Sequence, residues 1–100
     1  ALMRKRANRR LPALRDVPFV ESWAGMIDCL PDVVPVMDRV TGEEGLYLAT
    51  GFSGHGFGIG PGAGRLMADI VTGQTPVMDP HAFRLSRFSD GSKVYLDNGF

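Results

Sequence analysis

The stretch that decides the fold is residues 46–73, which read LYLATGFSGHGFGIGPGAGRLMADIVTG. It begins with Leu46–Ala49, a short apolar run typical of a buried β-strand. It ends with Arg65–Thr72, whose apolar spacing predicts a helix that Gly73 would cap. Between them lies a glycine-rich loop, and Pro61 suits the first turn of the helix. The predicted order is therefore strand, glycine-rich loop, helix.

The glycine-rich loop has glycine at every second position from Gly54 to Gly64. Each glycine that enters a helix costs about 1 kcal/mol relative to alanine, so this sequence needs a property that only glycine provides. That property is either a positive φ or the close approach of another group to the backbone. A flexible low-complexity linker is the alternative, but Phe52, Phe57 and Ile59 interrupt the glycines and a strong helix follows.

Backbone N–H groups at a helix start, with the helix dipole behind them, suit an anion or a developing negative charge. Gly58-x-Gly60-x-x-Ala63 matches a loosened dinucleotide-binding fingerprint. That fingerprint also requires a tight strand-to-helix turn and a second strand ending in an acid about 20 residues on. The loop here is too long, and Asp79, which has the spacing, lies between two prolines, so the match is weak.

Upstream, Leu2–Leu14 predicts a basic helix with one apolar stripe, whose arginines form either a binding face for anions or partners or an ordinary solvated face. Val17–Ala24 and Val33–Val40 are rich in β-prone residues. Leu30-Pro31-Asp32 supplies turn chemistry between them. We therefore expect two adjacent antiparallel strands, followed by a polar loop at Thr41–Gly45.

Residues 74–100 predict few regular elements. Asp79 is suited to cap one helical turn over residues 80–83. Residues 89–92 predict a turn, and residues 94–96 either a short strand or a disordered segment. His81 has no metal-ligand partners at a useful spacing, so we expect a surface histidine and no metal site.

Composition narrows the class of protein. The chain has 100 residues, enough for one domain, and its 11 Lys and Arg balance 11 Asp and Glu. A net charge of zero argues against a nucleic-acid partner. No run approaches the ~20 apolar residues of a membrane span, and we expect no signal peptide. The single cysteine, Cys29, excludes an internal disulfide and fits a reducing, cytoplasmic location as an ordinary small apolar residue.

Four stretches of the sequence, in order along the chain, resemble one known family. Residues 45–64 resemble the C-terminal FAD-contacting segment of the D-amino-acid oxidase/sarcosine oxidase family of flavoenzymes. Trp23-Ala24-Gly25 and residues 31–36 are similar to the family's W-x-G and T-P-D-x-x-P-(I/V) stretches, and residues 83–88 resemble its usual ending. Family members run to several hundred residues and carry a Rossmann G-x-G-x-x-G at the N-terminus. The resemblance implies that residues 1–100 are a C-terminal fragment of an FAD-dependent oxidoreductase, without its N-terminal dinucleotide-binding half.

The fold class expected is α+β, a partial piece of a Rossmann-type FAD-binding fold. It would contain an antiparallel hairpin plus one strand, an N-terminal basic helix and a helix after the glycine-rich loop. Without its N-terminal half, the fragment should be inactive and expose the apolar surface of Trp23, Phe52, Phe57 and Ile59. It should then be marginally stable or associate with itself.

The resemblance also implies a site on FAD. The residues that would bind the isoalloxazine and ribityl parts of the cofactor are Gly51, Phe52, Gly54, His55, Gly56, Phe57, Gly58 and Ile59. Reduced flavin carries negative charge near N1 and the C2 carbonyl, which backbone N–H groups at a helix start can stabilise. His55 would lie near the flavin ring and the substrate, either as a catalytic residue for proton transfer or as a packing residue that needs no special pKa.

The resemblance implies a small amine or amino-acid substrate, oxidised by hydride transfer to flavin. D-amino-acid dehydrogenase-like members carry an Arg two positions after the W-x-G glycine, where this chain has Ile27, so the clamp for a substrate carboxylate is missing. The pattern is more similar to the branch that oxidises N-methylated glycines and other secondary or tertiary amines, with Asp28 as a cation partner or a turn residue. Gly25 stands where covalent-flavin members have cysteine, so we expect non-covalent FAD.

Two alternative functions stay open. A nucleotide-binding module that recognises phosphate through the glycine-rich loop would bind ADP alone. A small non-catalytic interaction domain would use the basic helix as its binding face and would be indifferent to flavin. Periodicity alone predicts only a small α+β domain with a glycine-rich loop, so the flavin assignment depends on the resemblance.

Overall fold

A computed structural model of the chain describes residues 2–96. The regular elements are, in chain order, helix α1 (Leu2–Arg10), strands β1 (Val36–Arg39) and β2 (Tyr47–Thr50), and helix α2 (Gly56–Thr72). Short 3-10 turns lie at Pro12–Leu14, Pro80–Phe83 and Leu85–Phe88. The α+β class and the N-terminal basic helix are thus as predicted. No helix within residues 2–96 is long and apolar enough to cross a membrane.

The two strands form an antiparallel hairpin. Val36 pairs with Thr50 at one end of the hairpin, and Arg39 pairs with Tyr47 at the other. The predicted polar loop at residues 41–45 connects the strands, and the Val40 N–H continues the ladder by donating to the Leu46 carbonyl at 2.9 Å. The hairpin therefore joins the second β-prone run to the short apolar run before the glycines.

The strand predicted at Val17–Ala24 is wrong, and so is its pairing with Val33–Val40. Residues 17–28 are irregular, and the side chains of Val20 and Trp23 are 94% and 87% exposed. Alternation of apolar and polar residues predicts a strand only where a neighbouring edge is available to pair with it. Here β1 pairs with β2, which follows it closely in sequence, and residues 17–24 pair with neither strand, so residues 2–96 contain two strands rather than three.

Helix α2 begins five residues before Pro61, which the sequence places in the first turn of the helix. It runs from Gly56 with His55 as its N-cap residue, so the alternating glycines lie inside the helix and Pro61 occupies its sixth position. Apolar periodicity misses this part because glycine has no side chain with which to mark a face. Gly73 caps the helix as predicted, with φ 67° and its N–H donating to the carbonyls of Asp69 and Ile70.

The core lies between α2 and the hairpin. Met37 of β1 packs against Ala63 and Leu66 of α2, and all three side chains are buried. Partly buried apolar residues surround this cluster: Phe52, Met67, Ile70 and Phe83. A core of this size provides limited stabilisation, because small domains bury a small fraction of their surface.

Helix α1 lies outside this core and has no buried residue. It packs against the turn Pro12–Leu14 and toward Phe19, whose ring centroid is 5.6 Å from the guanidinium carbon of Arg4. The described chain is elongated as a result, with extents of 56 × 28 × 21 Å.

The C-terminal segment folds back on β1. Asp79 caps the turn Pro80–Phe83 as predicted, its side chain accepting from the His81 N–H at 2.9 Å. The turn at 89–92 also forms, with the Ser92 N–H donating to Asp90 at 2.9 Å. Of the two alternatives for residues 94–96, the strand does not form. His81 is exposed, as expected.

Candidate functional site

The connection between β2 and α2 is a strained turn. Gly51 and Ser53 have φ values of 69° and 51°, and both residues are buried. The Ser53 hydroxyl donates to the Gly51 carbonyl at 3.1 Å and accepts from the Leu30 N–H at 3.2 Å. A positive φ is uncommon for serine, so these two hydrogen bonds hold a conformation that would otherwise relax.

Gly51 is required by its surroundings as well as by its φ. A Cβ added there would overlap the Leu30 side chain at Cδ1 and Cγ. The sequence predicts Gly51 as a flavin contact, but the need for glycine at this position has a cause within the chain. Leu30 and Ser53, which sequence reasoning missed, are the residues that fix the connection.

The start of α2 presents backbone donors. The His55 carbonyl accepts from the N–H groups of Gly58 and Ile59, at 3.0 and 3.1 Å. Gly58 is the first residue whose N–H donates along the helix, so the N–H groups of Gly56 and Phe57 have no acceptor within it. No side chain caps the helix and its first turn contains no acidic residue, so the positive end of the helix dipole is uncompensated there.

The glycines of α2 leave its backbone bare. A Cβ added at Gly58, Gly60, Gly62 or Gly64 would meet no heavy atom within 4 Å in the described chain. Gly58 and Gly62, one turn apart, line an apolar cavity of about 360 Å³ whose other walls include Met37 and Phe83. Packing within residues 2–96 does not account for these glycines, and they leave room for another group against the helix.

The predicted site residues form one continuous segment at the end of β2 and the start of α2. The side chain of Phe57 is fully exposed and that of Ile59 is 41% exposed. Phe52 differs from the expectation of exposure, because it is half-buried and packs against the core. Gly54, with a positive φ, and Gly56 complete the segment.

His55 lies at the entrance of α2. It is exposed, and its backbone N–H donates to the Phe52 carbonyl at 2.9 Å. Its proton-transfer role stays a prediction.

Ile27, two residues after the W-x-G motif, reaches this site. The Cδ1 and Cγ2 atoms of Ile27 lie 3.8 Å from where a Cβ of Gly54 would stand, an ordinary van der Waals distance. Asp28 and Cys29, next along the chain, are exposed, so Cys29 is not packed as an apolar residue. Within residues 2–96, no group of three or more His, Cys, Asp or Glu side chains is arranged to hold a metal ion.

Sequence reasoning also missed a buried ion pair between Asp32 and Arg87. Their side chains are 11% and 6% exposed, and the Arg87 Nε lies 2.7 Å from Asp32 Oδ2. The hydrogen bond from Arg87 holds the pKa of the Asp32 carboxyl below its usual value, against the opposing effect of burial. The two residues are 55 positions apart, and no spacing rule connects them.

Comparison with known proteins bears directly on this site. A family model described as FAD dependent oxidoreductase matches residues 1–70, which include the Gly51–Ile59 segment. The chain belongs to this family. The predicted resemblance is therefore confirmed, and the relatives of the chain in this family are FAD-dependent oxidoreductases.

Curated relatives agree with the family match. The chain is similar to glycine oxidase of Pseudomonas aeruginosa, with 37% identity over 78 residues, which are 78% of this chain and 21% of that protein. It is similar to N-methyl-L-tryptophan oxidase of Salmonella newport, with 45% identity over 62 residues, 62% of this chain and 17% of that protein. The chain thus spans about a fifth of the length of these relatives.

A solved structure supports the fold. The L-amino acid deaminase from Proteus vulgaris superposes with a TM-score of 0.70 at 31% identity, over 84% of this chain and 19% of that one. The fold of this chain is therefore shared with part of that deaminase.

Proposed function

We propose that the Gly51–Ile59 segment and the start of α2 form part of the FAD site of an oxidoreductase acting on an amine or amino acid. The observation that carries the proposal is the bare backbone of α2, where glycines face open space in the described chain. Family membership supplies the identity of the cofactor. Because the chain spans about a fifth of its relatives, we propose that residues 1–100 are the C-terminal part of the enzyme and that a dinucleotide-binding half outside them completes the site.

The residues present fit FAD. A planar ring system that lies against a helix requires positions without side chains, and Gly58 and Gly62 provide them on one face. The N–H groups of Gly56 and Phe57, at the positive end of the helix, suit the negative charge of reduced flavin near N1 and C2. Gly25 stands where covalent-flavin members have cysteine, in keeping with non-covalent binding.

A bound FAD would supply the hydride-accepting chemistry for oxidation of an amine or amino acid. The residues of this chain hold and orient the cofactor. The exposed ring of Phe57 and the side chain of Ile59 would cover apolar parts of the flavin and keep water from them. The backbone N–H donors of α2 do not titrate, so the stabilisation that they would give to reduced flavin does not change with pH. His55, at the helix entrance, carries the imidazole that we propose as the proton-transfer group of the segment.

The substrate we propose is an N-methylated or otherwise secondary amine rather than a D-amino acid. Ile27, which contacts the Gly54 position, is apolar and offers no cation to a substrate carboxylate. An arginine at this place would give a bidentate clamp. The neighbouring Asp28 carboxylate is exposed and available to a substrate ammonium group.

A matched pair of glycine variants tests the cofactor site in the full-length protein. Gly58→Ala lies in the first turn of α2 and Gly64→Ala lies in the third, and both added methyl groups enter open space in the described chain. Each should stabilise the FAD-free protein by about 1 kcal/mol through helix propensity. Only Gly58→Ala should also weaken FAD binding, measured by calorimetry with ADP and riboflavin as controls. ADP binding as tight as FAD binding, or unchanged FAD affinity in Gly58→Ala, would contradict the proposal.

The substrate class is tested by steady-state kinetics on sarcosine, other N-methylated amino acids and D-amino acids. We expect N-methylated amino acids to have the higher kcat/KM in the wild-type enzyme. Ile27→Arg should shift the ratio toward D-amino acids by at least about tenfold, the effect of one charge-assisted bidentate contact. Ile27→Leu is the matched control and should leave the ratio unchanged.

A further inference from the structure

Arg87 is a buried arginine outside the residues that the family model matches. Its guanidinium donates to both carboxylate oxygens of Asp32, from Nε at 2.7 Å and from Nη2 at 3.1 Å. It also donates to the carbonyl of Val34 at 2.6 Å and to that of Arg84 at 2.9 Å. One side chain thereby ties the C-terminal segment to two residues of the 30–34 turn.

The 30–34 turn is strained. Val33, between the two residues that Arg87 bonds, has a φ of 58°, which is rare for a β-branched residue. Its N–H donates to the Leu30 carbonyl at 3.0 Å, and the N–H of Val34 donates to Asp32 Oδ1 at 3.2 Å. Because the guanidinium bonds the chain on both sides of Val33, it opposes the relaxation of this turn.

The same turn touches the proposed flavin segment through Leu30. The Leu30 N–H donates to the hydroxyl of Ser53, and its side chain fills the space beside Gly51. In the described chain, Val33 and Ser53 are the two residues with a positive φ that are not glycine. The two strained backbone positions, Val33 and Ser53, are therefore linked through one leucine.

We propose that Arg87 is a positioning residue for the flavin site. With Asp32, it holds the 30–34 turn so that Leu30 keeps Gly51 and Ser53 in place, and this fixes the start of α2. The inference rests on the proposed function of the Gly51–Ile59 segment. The planar fork of arginine is required, because a lysine ammonium cannot make the parallel pair of bonds to Asp32 while also reaching two carbonyls.

Arg84 provides a matched control three residues away. It also forms an ion pair, with its Nη2 2.9 Å from Asp90, but its partners lie within residues 81–92. Its other bonds go to the Ser92 hydroxyl at 2.6 Å and the His81 carbonyl at 2.8 Å. A variant of Arg84 therefore disturbs the C-terminal segment without touching the 30–34 turn.

The experiment compares Arg87→Lys with Arg84→Lys in the full-length protein. Arg87→Ala would leave the half-buried Asp32 carboxylate unpaired and could prevent folding, so the lysine variant, which keeps the charge, is the decisive one. Two quantities are measured: the Kd for FAD with the absorbance spectrum of the bound flavin, and amide hydrogen exchange of residues 30–34 and 51–55 without FAD.

We expect Arg87→Lys to raise the Kd for FAD by about tenfold, alter the flavin spectrum and speed exchange in both segments. Arg84→Lys should change none of these. If the two variants behave alike, or if Arg87→Lys lowers thermal stability without faster exchange at 51–55, the positioning role is overturned while the proposed function stands. If the wild-type protein binds no FAD, the proposed function fails and this inference fails with it.

Discussion

Ser53 and Gly51 show how single residues set the site. The backbone turns sharply between β2 and α2, and the turn is held by one hydroxyl and by the absence of one methyl group. This strained conformation is held in place because Leu30 contacts both residues.

Gly51→Ala should be among the most destabilising single-atom changes in this region. Two effects destabilise the alanine variant. A positive φ costs a residue with a Cβ about 1 to 3 kcal/mol, and the added Cβ overlaps the Leu30 side chain. Gly45→Ala is the control, because Gly45 also has a positive φ, 77°, but open space beside it. Urea denaturation should show a larger loss of unfolding free energy for Gly51→Ala. Equal losses would mean that the overlap is relieved at no cost.

The two ion pairs of the C-terminal segment can be tested against each other, because each arginine lowers the pKa of a different aspartate. The Ser92 and Arg84 hydrogen bonds lower the pKa of Asp90 to about 2, and Arg87 lowers that of Asp32. Arg84→Ala should raise the pKa of Asp90 and leave that of Asp32 unchanged. Arg87→Lys should raise the pKa of Asp32 and leave that of Asp90 unchanged. Carboxyl chemical shifts followed against pH by NMR measure both. A shift of both pKa values in either variant would show that the pairs are coupled.

The depressed pKa of Asp32 also fixes the sign of a pH effect on stability. The folded state binds a proton at Asp32 less readily than the unfolded state, whose carboxyl has the ordinary value of 3.8. The stabilisation is therefore complete above that pH and is lost as the pH falls through the lower, folded value. Asp32→Asn should remove this part of the acid dependence.

At the scale of elements, α2 combines two features that local propensity disfavours, alternating glycines and an internal proline. Pro61 has no N–H to donate to the carbonyl of Phe57, one turn earlier. The helix forms because its later half, with Ala63 and Leu66, packs against β1. Tertiary packing thus extends the helix over residues that would not form one alone.

Pro61→Ala should restore the missing hydrogen bond and raise the unfolding free energy of the FAD-free protein by about 1 to 3 kcal/mol. Pro12→Ala, at the first position of a 3-10 turn where proline is well tolerated, should change it by less than about 0.5 kcal/mol. Chemical denaturation measures both. An unchanged or lowered stability in Pro61→Ala would indicate that the proline is needed for the entry of the chain into α2.

The same elements show what sequence could and could not predict. Residue type and spacing were sufficient for α1, the end of α2 at Gly73 and the cap at Asp79, because each is decided by neighbours within a few residues. The strand at Val17–Ala24 failed because pairing is a long-range choice. The start of α2 and the Asp32–Arg87 pair were missed for related reasons, since glycine carries no pattern and residues 55 apart share no period.

At the scale of the whole molecule, the distribution of apolar surface is unusual. Large apolar side chains of residues 17–27 and of the start of α2 are exposed, including Trp23, Met26 and Phe57. Single exposed apolar residues are ordinary, but a series of them marks an interaction surface. We propose that this surface is covered by the dinucleotide-binding half proposed above.

The polypeptide of residues 1–100, prepared alone, should therefore associate with itself. Sedimentation velocity should show a weight-average mass that rises with concentration, and iodide should quench Trp23 fluorescence most at low concentration. Trp23→Ser combined with Phe57→Ser should reduce the association, whereas Tyr95→Ser, an exposed aromatic in the C-terminal segment, should not. A single monomeric species at every concentration would contradict this interpretation.

Cys29 is a suitable position for attaching a fluorescent label. It is the one thiol of the 100 residues, it is exposed, and it directly precedes Leu30, the residue that joins the two strained turns. A maleimide dye attached there would sit beside Leu30, which contacts both turns. Its anisotropy would then report, in real time and without mutagenesis, whether these turns become more rigid when a ligand binds.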